Sequence, residues 1–114
     1  MPTSGDVVDI DLGMPEGSEA GFHHPAVVIT AQRILSANPS VIHVVPLTSS
    51  IRAFDSEITI EPDPTNGLAV KSAAQCQHLR ALSRQRITTA RGNVGPAVLA
   101  EIREAIAVVL DLPV

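Results

Sequence analysis

The side chains able to move a proton near neutral pH are the imidazoles of His23, His24, His43 and His78. Imidazole is the commonest general acid–base group in catalysis, although most histidines are structural. His24 stands immediately before Pro25, at the head of the apolar run Pro25 to Ala31. It reads either as a proton-transfer group at a strand start or as a hydrogen-bonded structural residue. His23 falls on the opposite side of an extended chain. His43 is out of phase with Thr48 and reads as structural. Thr48 closes the apolar segment VVPLT, and strand ends are where sites concentrate. The plainer reading of Thr48 is a β-branched residue leading into a loop. Gln75 and Gln77, two apart, share one face of an extended chain. Their amides can hydrogen-bond a base edge or a phosphate but cannot titrate. His78 and Arg80 fall on the other face unless a bulge intervenes, and read as a sheet residue and an ion-pair donor.

No GxGxxG, phosphate loop, HExxH or paired CxxC occurs in the sequence. The histidines lack partners at metal-ligand spacing, and the single cysteine, Cys76, cannot build a zinc site alone. Neither a metal nor a cofactor is expected. The formal net charge of −4 argues against strong nonspecific nucleic-acid binding, but its distribution is uneven. Residues 1–22 carry Asp6, Asp9, Asp11, Glu16 and Glu19 with no Lys or Arg. Residues 71–91 carry Lys71, Arg80, Arg84, Arg86 and Arg91 with no acid. Gathered on one face, the basic stretch can receive phosphates; otherwise it is a solvated edge. Phe22 and Phe54 are the only aromatics. Both fall in expected loops, where they can stack unpaired bases or pack beneath the loop.

These groups must be positioned by a chain of 114 residues, one domain (1–114) by length. With 45% hydrophobic and 18% charged residues, it reads as globular. Val8, Ile10 and Leu12 alternate with Val7, Asp9 and Asp11 as in a half-buried strand. Residues 13–21 form a loop. Residues 25–31 and 41–48 read as apolar strands, with an irregular connection between them. Ser56 to Glu61 alternates, with Ile58 and Ile60 inward and Glu57, Thr59 and Glu61 outward. Residues 62–67 turn, 68–70 and 73–82 give further strand, 83–86 suits a helical turn, and 87–94 is extended. The helix expected over 96–112 carries Val98, Leu99, Ile102, Ile106, Val109 and Leu110 on one stripe. Strands followed by a helix imply an α+β class: an antiparallel sheet or small barrel closed by the helix. The lone thiol fits a reducing compartment and a cytoplasmic location. Residues 1–11 do not resemble a signal peptide, and no apolar run suits a membrane span.

In order along the chain, Gly5-Asp6-Val7-Val8, Gly17-Ser18-Glu19, His24-Pro25-Ala26-Val27-Val28-Ile29, VVPLTS, Ala74 to Leu82 (AQCQHLRAL) and the helix after Gly92-Asn93-Val94 resemble the MazF/PemK toxins. The resemblance implies an SH3-like barrel with a terminal helix, paired into a homodimer. It implies metal-independent cleavage of single-stranded RNA to 2′,3′-cyclic phosphate and 5′-OH ends. Thr48 falls on the family's catalytic Thr. His24 stands where the family usually has Arg, and an imidazole can transfer protons there. Gln75 and Gln77 stand where some members have Arg and Asp. Substrate contacts are expected at Ser18, Glu19, Phe22, Ser49, Arg52, Phe54, Gln75, Gln77, Arg84 and Arg86, with the arginines guiding the RNA backbone. A cognate MazE-like antitoxin, acidic and flexible, is implied as a partner. Two other roles suit the same scaffold. One is a catalytically weakened decoy that still binds antitoxin. The other is a gyrase-binding poison like CcdB, although this chain lacks the C-terminal Trp of those proteins.

Overall fold

The computed structural model describes residues 2–13 and 23–113. Ser18, Glu19 and Phe22, expected to touch substrate, lie outside the described residues. The strands are β1 (Asp6–Asp11), β2 (His23–Val28), β3 (Val41–Thr48), β4 (Glu57–Ile60), β5 (Ser72–Gln75), β6 (Arg80–Ser83) and β7 (Ile87–Asn93). A short helix α1 (Gln32–Leu35) links β2 to β3, and helix α2 (Gly95–Val109) ends the chain. The sheet is antiparallel, in the order β4-β5-β3-β2-β1-β7, with β6 also on β3. Its outer strands do not pair with each other among the described residues, so the curled sheet stays open. The class is α+β, as expected.

The central strands bury apolar side chains on both faces: in β1 Val7 is buried along with Val8 and Ile10, while Asp9 and Asp11 stay partly exposed as the alternation expects. Val7, Val27, Val45 and Leu47 pack with Ile102, Ala105 and Ile106 of α2. Val8, Ile10, Ala26, Val28, Ile42 and Val44 pack on the other side with Leu35 and Leu82. Adjacent Val7 and Val8 therefore enter different clusters, because α2 covers Val7 on the face that alternation assigned to water. Helix α2 begins where Asn93 Oδ1 accepts the Gly95 N–H at 2.8 Å, with Pro96 in the first turn, where its missing N–H costs nothing. Expected stripe members Val109 and Leu110 are 40% and 51% exposed, since nothing in the described chain covers the last turn.

The stretch 73–82 is not one strand, and the physical reason lies across the ladder. Residues Val41 to Val44 pair with β6, whereas Leu47 and Thr48 pair with β5. Pro46, which has no N–H to give, sits at the interruption. The surplus residues on the partner side, Cys76–His78, coil into a 3-10 turn. Residues 68–70 also form no strand; they belong to a loop that Asn66 organises. The buried Asn66 side chain accepts N–H groups of Asp63 and Leu68 and donates to the Glu61 carbonyl.

Ile102 is fully buried in the helix–sheet cluster. Ile102→Ala is expected to destabilise the fold by about 2–5 kcal/mol, as a lower urea midpoint with unchanged slope. A loss under about 1 kcal/mol would mean that α2 is not essential to the core.

Candidate active site

β2 and β3 pair with Ala26 opposite Pro46, Val27 opposite Val45 and Val28 opposite Val44. Beyond the last of these pairs, the ends of both strands run to one cavity, which His24 and Thr48 both line. That cavity, of about 260 Å³, is also lined by Ser49, Ser72 and Arg91. The Thr48 Oγ accepts the Ser50 N–H at 3.1 Å. Its oxygen is held by that turn, and its proton is the part it can give to a ligand.

His24 also lines a second cavity of about 310 Å³, on the side of the interrupted ladder. Gln75, His78 and Arg80 form that wall with Pro46. Simple alternation separates Gln75 from His78 and Arg80; the 3-10 turn at Cys76–His78 brings them to one hollow. The imidazole of His24 thus stands between a hydroxyl-lined cavity and one lined by an amide, a second imidazole and a guanidinium.

Glu57, expected to face water, has a side chain only 1% exposed. Its Oε2 accepts from Arg52 Nη2 at 3.0 Å, Gln77 Nε2 at 2.7 Å and Gln75 Nε2 at 3.4 Å. Ser56 Oγ donates to Gln77 Oε1, completing the cluster. Arg52 also lies over the Phe54 ring, 4.7 Å from its centroid. Gln75 and Gln77 do converge, but on a buried carboxylate and not as neighbours on one strand face, since Gln77 lies in the 3-10 turn. Burial pushes the Glu57 carboxyl up, but the hydrogen bonds from Gln77, Arg52 and Gln75 and the charge of Arg52 outweigh it. The result lies below the ordinary value of 4.5. Burial, with the charge of Glu57 adding to it, holds the Cys76 thiol at about 11, so Cys76 is no nucleophile at neutral pH.

The other expected contacts separate. Ser49 lines the His24–Thr48 cavity. Arg84 bonds Asn38 Oδ1 and lines a different cavity with Pro2 and Ile87. Arg86 donates to the Asp11 carbonyl at 3.0 Å. His43 is exposed, and its backbone N–H bonds Thr30 Oγ. Sequence reasoning overlooked Arg91, which enters the cavity from β7. The pairing of β7 with β1 steps from Gly92 opposite Val7 to Ala90 opposite Val8, leaving Arg91 as the extra residue of a β-bulge. The basic stretch ending at Arg91 was the available signal, but strand periodicity could not supply its direction.

The molecule is thus a small open antiparallel sheet with a C-terminal helix, with a histidine, a threonine and an arginine lining one cavity. A profile of PemK-like, MazF-like toxins of type II toxin–antitoxin systems matches residues 3–110. Endoribonuclease MazF9 of Mycobacterium tuberculosis is 33% identical over 117 residues, covering 98% of each chain. Among solved structures, a MazE–MazF complex from Deinococcus radiodurans superposes with a TM-score of 0.80 at 24% identity, covering 98% of this chain and 97% of its own. An endoribonuclease in complex with its cognate antitoxin from a mycobacterial species gives 0.76 at 22% identity, covering 100% and 99%. The chain belongs to the PemK-like, MazF-like toxin family of type II toxin–antitoxin systems.

Because its folded carboxyl titrates below 4.5, Glu57 stabilises the fold fully above that pH. That contribution disappears as pH falls through the lowered value. Glu57→Gln is expected to be less stable at pH 7 and to lose less stability between pH 5 and pH 3 than the parent. Thermal unfolding across that range checks it. An unchanged slope would remove Glu57 from the acid response.

Proposed function

We propose that the chain is the toxin of a type II toxin–antitoxin system and a sequence-specific, metal-independent endoribonuclease acting on single-stranded RNA. The observation that carries this reading is the register of β2 and β3, which brings His24 and Thr48 to one cavity. The 2′-hydroxyl attacks the adjacent phosphorus, and its proton passes to solvent water. The P–O5′ bond breaks, and the 5′-oxygen takes up a proton, leaving a 2′,3′-cyclic phosphate and a 5′-OH. The imidazolium of His24 protonates the departing oxygen. The Thr48 hydroxyl donates to a nonbridging oxygen as charge accumulates there. Gln75 and Ser49 contact the RNA from the two cavities flanking His24. Gln77 and Arg52 act behind them, by fixing Glu57 and through it Gln75. Phe54 is the exposed ring available for base stacking.

A homodimer and an acidic MazE-like antitoxin belong to the same reading, and antitoxin complexes among the structural neighbours support the second. A cytoplasmic location accords with the free Cys76. No helix among the described residues is long and apolar enough to cross a membrane. The decoy and gyrase-poison readings have no comparable support, since the curated relative is an endoribonuclease.

Purified protein incubated with mixed single-stranded RNAs in chelator is expected to yield cyclic-phosphate and 5′-OH ends. His24→Ala is expected to lower cleavage by ~10²–10⁴ and Thr48→Ala by ~10²–10³. Intact RNA across varied sequences, or cleavage indifferent to both substitutions, would contradict the proposal.

A further inference from the structure

Among its described lining residues, the cavity shared by His24 and Thr48 has one permanent cation, Arg91, and no carboxylate. Three independent features fix that cation in place. The first is the bulge that makes Arg91 the unpaired residue of β7. A bulge redirects the side chain that regular pleating would place elsewhere. The second is a two-point pair with Asp9: Nε to Oδ2 at 3.1 Å and Nη2 to Oδ1 at 2.9 Å. The third is the close approach of the 61–67 loop to the backbone on either side. A Cβ at Gly92 would lie 2.3 Å from the Thr65 carbonyl oxygen, and one at Gly67, whose φ is +69°, only 2.4 Å from that of Arg91. The Asn93 N–H donates to Thr65 at 2.9 Å, tying strand and loop together. Only glycine permits this contact at either position.

A guanidinium carries five N–H donors; Asp9 accepts the one on Nε, and Nη2 lies in ion-pair contact with its other oxygen. The rest, on Nη1 and Nη2, remain for a ligand. Its side chain keeps 36% of its surface exposed, while that of Asp9 keeps 18%. The carboxylate therefore anchors the group without enclosing it. An imidazole is a cation only while protonated, whereas a guanidinium is charged at every physiological pH.

From this geometry we propose that Arg91 is the phosphate-binding residue of the His24–Thr48 cavity, held by Asp9 so that its unengaged donors meet a nonbridging oxygen of the bound phosphodiester. The proposal rests on reading this cavity as the RNA-cleaving centre. It adds a substrate-contacting side chain from β7 and a positioning role for Asp9. Arg91 contacts the bound phosphate and tightens its hold as negative charge builds on the nonbridging oxygens in the transition state, leaving His24 for proton transfer.

The test joins a binding measurement to a kinetic one. Inorganic phosphate titrated into isotope-labelled protein should shift the amides of Thr48 and Ser49 and the Nε–H of Arg91 saturably. Arg91→Gln should weaken that binding by about tenfold or more, and Arg91→Lys, which keeps the charge, should retain most of it. At saturating RNA, Arg91→Gln should lower kcat by ~10²–10³. Arg91→Lys should recover part of that loss with little change in thermal midpoint. No phosphate response at these residues in the parent would overturn the proposal. So would Arg91→Gln binding phosphate or cutting RNA as the parent does. If phosphate binding depends on Arg91 but the parent cuts no RNA, the anion site stands and the nuclease reading falls.

Discussion

The site depends on how β3 is shared. On one edge it holds a regular antiparallel register with β2; on the other it changes partner at Pro46, from β6 to β5. A proline cannot donate to a ladder, and an interruption of pairing is where a strand interior tolerates one. The unbroken edge leads to the cavity that His24 and Thr48 both line. The broken edge leaves a gap that the Cys76–His78 turn fills, bringing His78 and Arg80 near the same imidazole. Burying apolar side chains on both faces of β1, β2 and β3 protects this arrangement, because a slip of one residue would exchange the contents of two apolar clusters.

Around that frame the polar side chains divide between those facing the cavities and those holding the frame. Glu57 is the clearest case of the second kind. A carboxylate buried on its own would be costly; here Arg52, Gln75 and Gln77 all donate to one of its oxygens. The cluster spans the loop before β4, the end of β5 and the 3-10 turn. It adds side-chain ties where the β4–β5 pairing ends, at Glu57 opposite Gln75. Asn66 does the same for the 61–67 loop, and the loop's backbone packs against β7 beside Arg91. Buried polar groups of this sort contribute conformational uniqueness at modest net stability.

Much of the frame was legible in the sequence. The apolar runs at 25–31 and 41–48, the alternation near residue 8 and the periodicity of α2 each survive in the structure. The resemblance to MazF/PemK toxins, and not strand phase, singled out His24 and Thr48 together, although each stands near the end of an apolar strand. What escaped prediction lies where phase breaks. Arg91 occupies a bulge, Gln77 a 3-10 turn forced by residues on another strand, and Glu57 a strand position whose outward alternation is overridden by Arg52 nearby and by Gln75 and Gln77 much further along the chain. The apolar positions Val109 and Leu110 mislead in the opposite sense. They continue the helical stripe past the point where the described chain offers anything to cover it.

The central claim is that one phosphate fits between the imidazole before Pro25 and the hydroxyl that ends β3. A crystal structure with an RNA of cleavable sequence, its sugar at the scissile step replaced by 2′-deoxyribose, measures this directly. The scissile phosphorus should then occupy the cavity lined by Thr48 and Ser49, with a nonbridging oxygen in hydrogen-bond reach of Thr48 Oγ and the 5′-oxygen facing His24. Finding that phosphate elsewhere, for instance beside Arg84 and Asn38 with the Thr48 cavity vacant, would contradict it.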